Sequence, residues 1–161
     1  MFVHQQIKKL HNNMERIALY AGSFNPFTIG HKDIVDRALK IFDKVIIAIS
    51  INPDKNSDVD TLESKLVIST LYKDNPNVEV IVNTGITYEC AKEYNCCTLI
   101  RGIRNGNDLT DEITISTVNR EYGDIETVLI PCRPELMYIS SSLIRNLSKS
   151  NIDVKRFLPE I

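Results

Sequence analysis

The sequence predicts an α/β fold: a doubly wound, Rossmann-like parallel sheet of five strands with helices on both faces, in one domain. Three observations carry this expectation. Short apolar, β-branched runs alternate with segments of helical period along the chain. Val45-Ile46-Ile47-Ala48-Ile49 is apolar without alternation, the pattern of a strand buried on both faces, and such burial belongs to parallel sheets. A length of 161 residues suits a single domain and shows no repeat or linker-like stretch.

The elements follow in order. Arg16 to Ala21 reads as a buried strand ending at Gly22, and the Gly22-Ser23-Phe24-Asn25-Pro26 turn follows it. Ile34, Val35, Ala38, Leu39 and Phe42 fall at helical spacing, predicting a helix over 29–42. Lys44 to Ile51 is the second strand. Asp60 and Glu63 have capping-box spacing and predict a helix start at Asp60, running to Tyr72. Asn75-Pro76-Asn77 stops that helix, and Val78 to Val82 is the third strand. A helix over Ile86–Tyr94, a strand over Thr98–Ile100, a helix over Asp108–Tyr122 and a strand over Thr127–Ile130 come next. Ser140 to Lys149 is helical, and Val154 to Leu158 forms a last short helix. Residues 1–13 read as a poorly ordered extension, with the domain proper over 14–161.

Composition narrows the function. Nineteen Lys plus Arg against 21 Asp plus Glu gives a net charge of −2, which argues against a polybasic nucleic-acid binder. A small anionic ligand needs only two or three placed cations and stays open. No run approaches the roughly 18 apolar residues of a spanning helix, and the first thirteen residues hold no apolar signal segment. A cytoplasmic, membrane-free protein is the expectation. Cys90, Cys96, Cys97 and Cys132 lack C-x-x-C spacing, so buried reduced thiols are expected in place of disulfides or zinc.

On a doubly wound sheet ligands bind at the carboxyl ends of strands, which directs attention to residues 22–31, 52–58, 83–87, 101–108 and 131–142. The first of these segments is neither G-x-G-x-x-G nor a P-loop. It still offers a sharp turn at Gly22, the hydroxyls of Ser23 and Thr28, and His31 one helical turn beyond Thr28. A plain turn with a capping threonine and a surface histidine explains it equally well. Arg101 and Arg104 flank Gly102 directly after a buried strand. Their guanidinium forks suit phosphate, or they pair with Asp108, Asp111 or Glu112. Ser140-Ser141-Ser142 supplies hydroxyls at a helix start, as a cap or as phosphate contacts. Lys55 stands in the second loop.

Together these segments carry a resemblance. Thr28-Ile29-Gly30-His31 matches the T/H-x-G-H signature of a nucleotidyltransferase superfamily. With Asn52-Pro53-Asp54-Lys55, Ile100-Arg101-Gly102-Ile103-Arg104, Asn119-Arg120 and Ile139-Ser140-Ser141-Ser142-Leu143, the chain from about Arg16 to Pro159 resembles the phosphopantetheine adenylyltransferase family. It departs from the usual pattern at Asn25, at Asn56-Ser57 and at Leu109-Thr110-Asp111.

The resemblance implies transfer of AMP from ATP to 4′-phosphopantetheine, giving dephospho-coenzyme A and pyrophosphate without a covalent enzyme intermediate. It implies that His31 stabilises the transition state at the α-phosphate, with Ser23, Lys55 and Arg104 also catalytic. Ser23 lies between the two substrates' phosphates. Phe24, Thr28, Gly102, Ile103, Arg104, Glu112, Leu136 and Ser140 to Ser142 line the ATP site. Lys55, Thr87 and Arg101 hold the phosphopantetheine. Magnesium is expected on the ATP phosphates, with no protein carboxylate cage. A homohexamer and feedback inhibition by coenzyme A are implied in the same way. The rivals are a nicotinamide mononucleotide adenylyltransferase and a catalytically silent nucleotide-binding sensor.

Overall fold

A computed structural model describes residues 15–51 and 58–161. Five parallel strands stand in the order β3-β2-β1-β4-β5: β1 Ile17–Gly22, β2 Lys44–Ser50, β3 Val78–Asn83, β4 Thr98–Ile103 and β5 Glu126–Pro131. The helices are α1 Ile29–Ala38, α2 Asp58–Leu71, α3 Thr87–Glu93, α4 Gly106–Gly123 and α5 Ser141–Lys149. Short 3-10 turns cover Pro134–Leu136 and Lys155–Phe157.

The strand order shows why the sheet is doubly wound. The chain builds outward from β1 through β2 to β3, then returns to β4 on the other side of β1. Right-handed crossovers therefore send α1 and α2 to one face and α3 and α4 to the other. The core divides accordingly. Ala18, Tyr20, Ile47, Ile49 and Ile100 pack with Ile34, Val35, Ala38 and Ile68 on one face. Leu19, Ala21, Ile46, Ala48 and Leu99 pack with Cys90 and Ala91 on the other. Alternate residues of one strand thus serve both layers, and this is why Val45 to Ile49 is apolar throughout.

Several boundaries differ from the sequence expectation. The first helix ends at Ala38, and residues 39–42 form a tighter turn in which Ile41 and Phe42 N–H both donate to Ala38 O. Arg16 and Asp43 then tie the chain back beside β1, their side chains 3.0 Å apart. The second helix starts at Asp58, so Asp60 and Glu63 lie within it and are not its capping box. The fourth strand runs through Ile103, which puts Arg101 and Gly102 on the sheet and not in a loop. Asn105 caps α4, its side chain accepting from the N–H groups of Asn107 and Asp108 at 3.0 Å each, so that helix begins two residues early. The final short helix is a 3-10 turn. The expected extension over 1–13 and the Asn52–Lys55 loop lie outside the described residues.

The thiols are free, but they are not all buried. Cys90 is buried, Cys96 and Cys132 are partly so, and Cys97 is exposed. Burial pushes the Cys96 thiol up to about 12. Cys97 closes the turn into β4 by donating its N–H to Ile17 O, a backbone role that leaves its side chain in solvent.

Candidate active site

β1 and β4 are neighbours whose chain connections leave in opposite directions, so a crevice opens above their carboxyl ends. A cleft of about 390 Å³ occupies this position. Its walls come from the β1–α1 turn, the end of β4, the start of α4, the segment after β5 and the start of α5.

The β1–α1 turn is held by its aromatic residues. Phe24 adopts a left-handed backbone with φ 47 and folds its ring beneath Gly22, where a Cβ would lie 2.9 Å from that ring. Glycine is therefore required at 22. Ser64 of α2 donates to Phe24 O at 3.0 Å, which fixes the turn from below. Thr28, 1% exposed, is the N-cap of α1. Its Oγ1 accepts the His31 N–H at 3.2 Å, and its own N–H donates to His31 Nδ1 at 3.0 Å. This is a capping box with histidine as the fourth member.

That geometry sets the state of the imidazole. A backbone N–H cannot accept, so Nδ1 is bare and the ring proton sits on Nε2. Burial, with the positive charges of Arg104 and Arg101, pushes the His31 pKa down to about 4. Phe24 and Phe27 pack on the ring at centroid distances of 5.2 and 5.4 Å. His31 in the free protein is a neutral donor, oriented on both sides before any ligand arrives.

Both arginines are paired with carboxylates of α4. Arg101 grips Glu112 with two bonds, Nε to Oε2 at 2.8 Å and Nη2 to Oε1 at 2.6 Å, and a third N–H meets Ala21 O. Arg104 pairs with Asp108 through Nε at 2.8 Å and Nη2 at 3.2 Å. Each guanidinium carries five N–H donors, so both arginines keep donors for a ligand while a carboxylate fixes their planes. Glu112, 8% exposed, lines the cleft but serves first as the counter-ion of Arg101.

α5 brings the serines. Ser140 Oγ caps the helix by accepting Leu143 N–H at 3.1 Å. Ser141 Oγ donates to Pro26 O at 2.9 Å, and Arg145 joins Asn25 O to Ser142 Oγ. These bonds lock the amino end of α5 to the β1–α1 turn. The positive ends of α1 and α5 therefore open onto one cleft.

Ser23, Phe24, Thr28, Gly102 and Leu136 also line this cleft. Ile103 does not; its carbonyl accepts Cys132 N–H at 2.7 Å and joins β4 to the β5 exit. Thr87 lines a second cavity of about 200 Å³ on the other side of β1, and Arg101 and Ala21 belong to the walls of both. Lys55 lies outside the described residues. The structure adds Asn119, buried in the wall of the second cavity. Its sequence signal is the spacing from Glu112, two helical turns back on the same face. It also adds Cys132 and Tyr20 to the cleft. No group of three or more His, Cys, Asp and Glu side chains suited to a metal gathers among the described residues. No helix there is long and apolar enough to cross a membrane.

A parallel sheet with a switch-point cleft, two convergent helix amino ends and a T-x-G-H start defines an enzyme of the nucleotidyltransferase class. A cytidylyltransferase-like family profile matches residues 19–147. The solved structure of a Vibrio parahaemolyticus protein, described as a nicotinate-nucleotide adenylyltransferase, shares the fold with a TM-score of 0.61 at 23% identity, covering 91% of this chain and 95% of that one. The phosphopantetheine adenylyltransferase of Cytophaga hutchinsonii is 48% identical over 149 residues, 91% of this chain and 98% of that protein. That of Bacteroides thetaiotaomicron is 40% identical over 90% of this chain and 96% of its own length. The chain belongs to the phosphopantetheine adenylyltransferase family.

Proposed function

We propose that this enzyme transfers AMP from ATP to 4′-phosphopantetheine by direct in-line displacement, in the formation of coenzyme A. The supporting observation is the pair of adjoining cavities that meet at Ala21 and Arg101. Two phosphorylated substrates need two sites and one shared cationic seam. ATP takes the larger cleft. Arg104, Gly102 and the Ser140–Ser142 turn receive its β- and γ-phosphates, and Phe24, Glu112 and Leu136 surround the nucleoside. The acceptor takes the smaller cavity, its arm against Thr87 and its phosphate on Arg101 and Lys55.

An acceptor phosphate oxygen attacks the α-phosphorus from the side opposite the pyrophosphate. The new O–P bond forms as the bond from Pα to the bridging oxygen breaks, and pyrophosphate carries away that electron pair. No protein nucleophile is needed, so catalysis is positioning and charge stabilisation. The His31 Nε2–H donates to the α-phosphoryl oxygen, and Ser23 bonds between the two reacting phosphates. Magnesium bound together with the nucleotide would supply further charge neutralisation. The carboxylates of Glu112 and Asp108 are occupied by arginines, which suits a metal held by substrate oxygens. Coenzyme A carries both the pantetheine arm and the adenosine, so it competes for both cavities as a feedback inhibitor. The assembly is a homohexamer, and the enzyme works in the cytoplasm.

The test is pyrophosphate release from ATP with magnesium and each of two acceptors, 4′-phosphopantetheine and nicotinamide mononucleotide. Release with the first alone is expected. Release only with the second, or tight ATP binding without release on either, overturns the reading.

A further inference from the structure

Tyr20 has no assigned part in the scheme above. It stands on β1 between Ile47 of β2 and Ile100 of β4, at the switch point itself. It is 5% exposed. Its ring packs edge-on against Phe24 at 5.1 Å and lies 6.4 Å from His31. The side chain reaches forward beneath Gly102, where a Cβ would stand 3.9 Å from the tyrosine oxygen and 3.0 Å from Ile34. The absence of a side chain at 102 therefore leaves the tyrosine as part of the cleft floor.

The Tyr20 oxygen is not among the side-chain oxygens that are fully enclosed without a partner, and the side chain borders the cleft. Tyr72 is the other buried tyrosine; its oxygen is enclosed without a partner, and it lines neither cavity. Only Tyr20 of the two has a ligand space to donate into. The charged groups facing it are Arg101, Arg104 and Glu112, with the Cys132 thiol nearby, and burial outweighs them all in keeping the phenol protonated. The group is thus a neutral O–H donor in a cleft whose cations call for an anion.

We propose that the Tyr20 hydroxyl donates a hydrogen bond to a phosphoryl oxygen of the nucleotide, beside the positions served by His31 and Arg104. The nucleotide is favoured over the acceptor because Tyr20 lines the larger cleft and not the smaller cavity. The proposal rests on the assignment of ATP to that cleft.

The experiment is Tyr20→Phe in the full chain, which removes the hydroxyl and keeps the ring. It reads the Tm of the free protein, ATP affinity by calorimetry, and kcat and KM for each substrate. A purely structural hydroxyl would lower the Tm when lost. A donor that opens on the cleft leaves the free Tm close to the wild-type value, because its place in the free protein is beside solvent. ATP affinity, or kcat/KM for ATP, is expected to fall at least about ten-fold, the usual loss for a hydrogen bond to a charged group. The KM for 4′-phosphopantetheine is expected to stay within about two-fold on the same argument. Unchanged ATP affinity and unchanged kcat and KM overturn the proposal, whatever the Tm. If the wild-type chain releases no pyrophosphate with 4′-phosphopantetheine, the assignment of the acceptor fails. The ATP titration still decides Tyr20.

Discussion

The imidazole of His31 has one nitrogen committed to the helix cap and one left for the reaction. Holding Nδ1 on the Thr28 N–H fixes the tautomer, and burial, helped by the nearby guanidiniums, keeps the ring uncharged. His31→Ala removes a donor that the transition state uses, and turnover is expected to fall by roughly 10²–10³. A steady-state assay at saturating substrates checks this, and near-normal kcat would remove His31 from the chemistry. The titration is a separate matter. The folded pKa of about 4 lies below the ordinary 6.5, so between those values the unfolded chain binds a proton that the folded chain refuses. Stability from His31 is therefore complete above 6.5 and is lost as the pH falls toward 4. NMR of the ring Cε1 proton in the free protein is expected to show a midpoint near 4. His31→Gln, which can keep the capping box, should lose less stability over that window than the wild type. A ring midpoint near 6.5 would contradict the burial argument.

At the scale of elements, each part of the cleft is carried by a helix start or a strand end, and each is stapled by a polar bond. α4 supplies two such staples. Glu112 fixes Arg101 and Asp108 fixes Arg104. Glu112→Ala leaves a half-buried guanidinium without its partner, at a cost of about 2–4 kcal/mol, below the full buried-pair loss because Arg101 keeps solvent contact. Urea unfolding measures it, and KM for the acceptor should rise because Arg101 no longer points at the shared seam. An unchanged urea midpoint would show that Arg101 finds another counter-ion. Much of this was legible in the sequence. The T-x-G-H start, the R-G-I-R segment and the serine run are contiguous, and each occupies one end of one element. What escaped was long-range. Nothing local marks Tyr20, because its role follows from the sheet order that puts β1 next to β4 and from the empty space at Gly102. Asn119 was visible as part of a motif, but its place depends on which face of α4 turns inward. The strand end at Ile103 was missed because Arg101 and Gly102 are poor strand residues, overridden here by pairing with Leu129 and Ile130 of β5.

At the scale of the molecule, α4 is inverted with respect to an ordinary surface helix. Its buried positions are Glu112 and Asn119, each in the wall of a cavity, and Gly123, which packs against Tyr88 of α3. Beside them on the helix lie Ile115, Val118 (46% exposed) and Tyr122 (72% exposed), with Ile115 also in the wall of the smaller cavity. A helix whose core-facing side is given to ligand chemistry has its apolar residues left over, and a contiguous apolar surface of this kind marks a protein contact. In the proposed hexamer this face is the one covered by another subunit. Light scattering on the purified chain is therefore expected to give about six times the 18.3 kDa of one copy. Val118→Glu puts a charge at the centre of that face, and burying it unpaired is costly. Val118 lines neither cavity, so the variant should fall to smaller species while ATP still binds. A wild-type chain that scatters as a single copy at micromolar concentration and retains full turnover would show that the face of α4 serves something other than self-assembly.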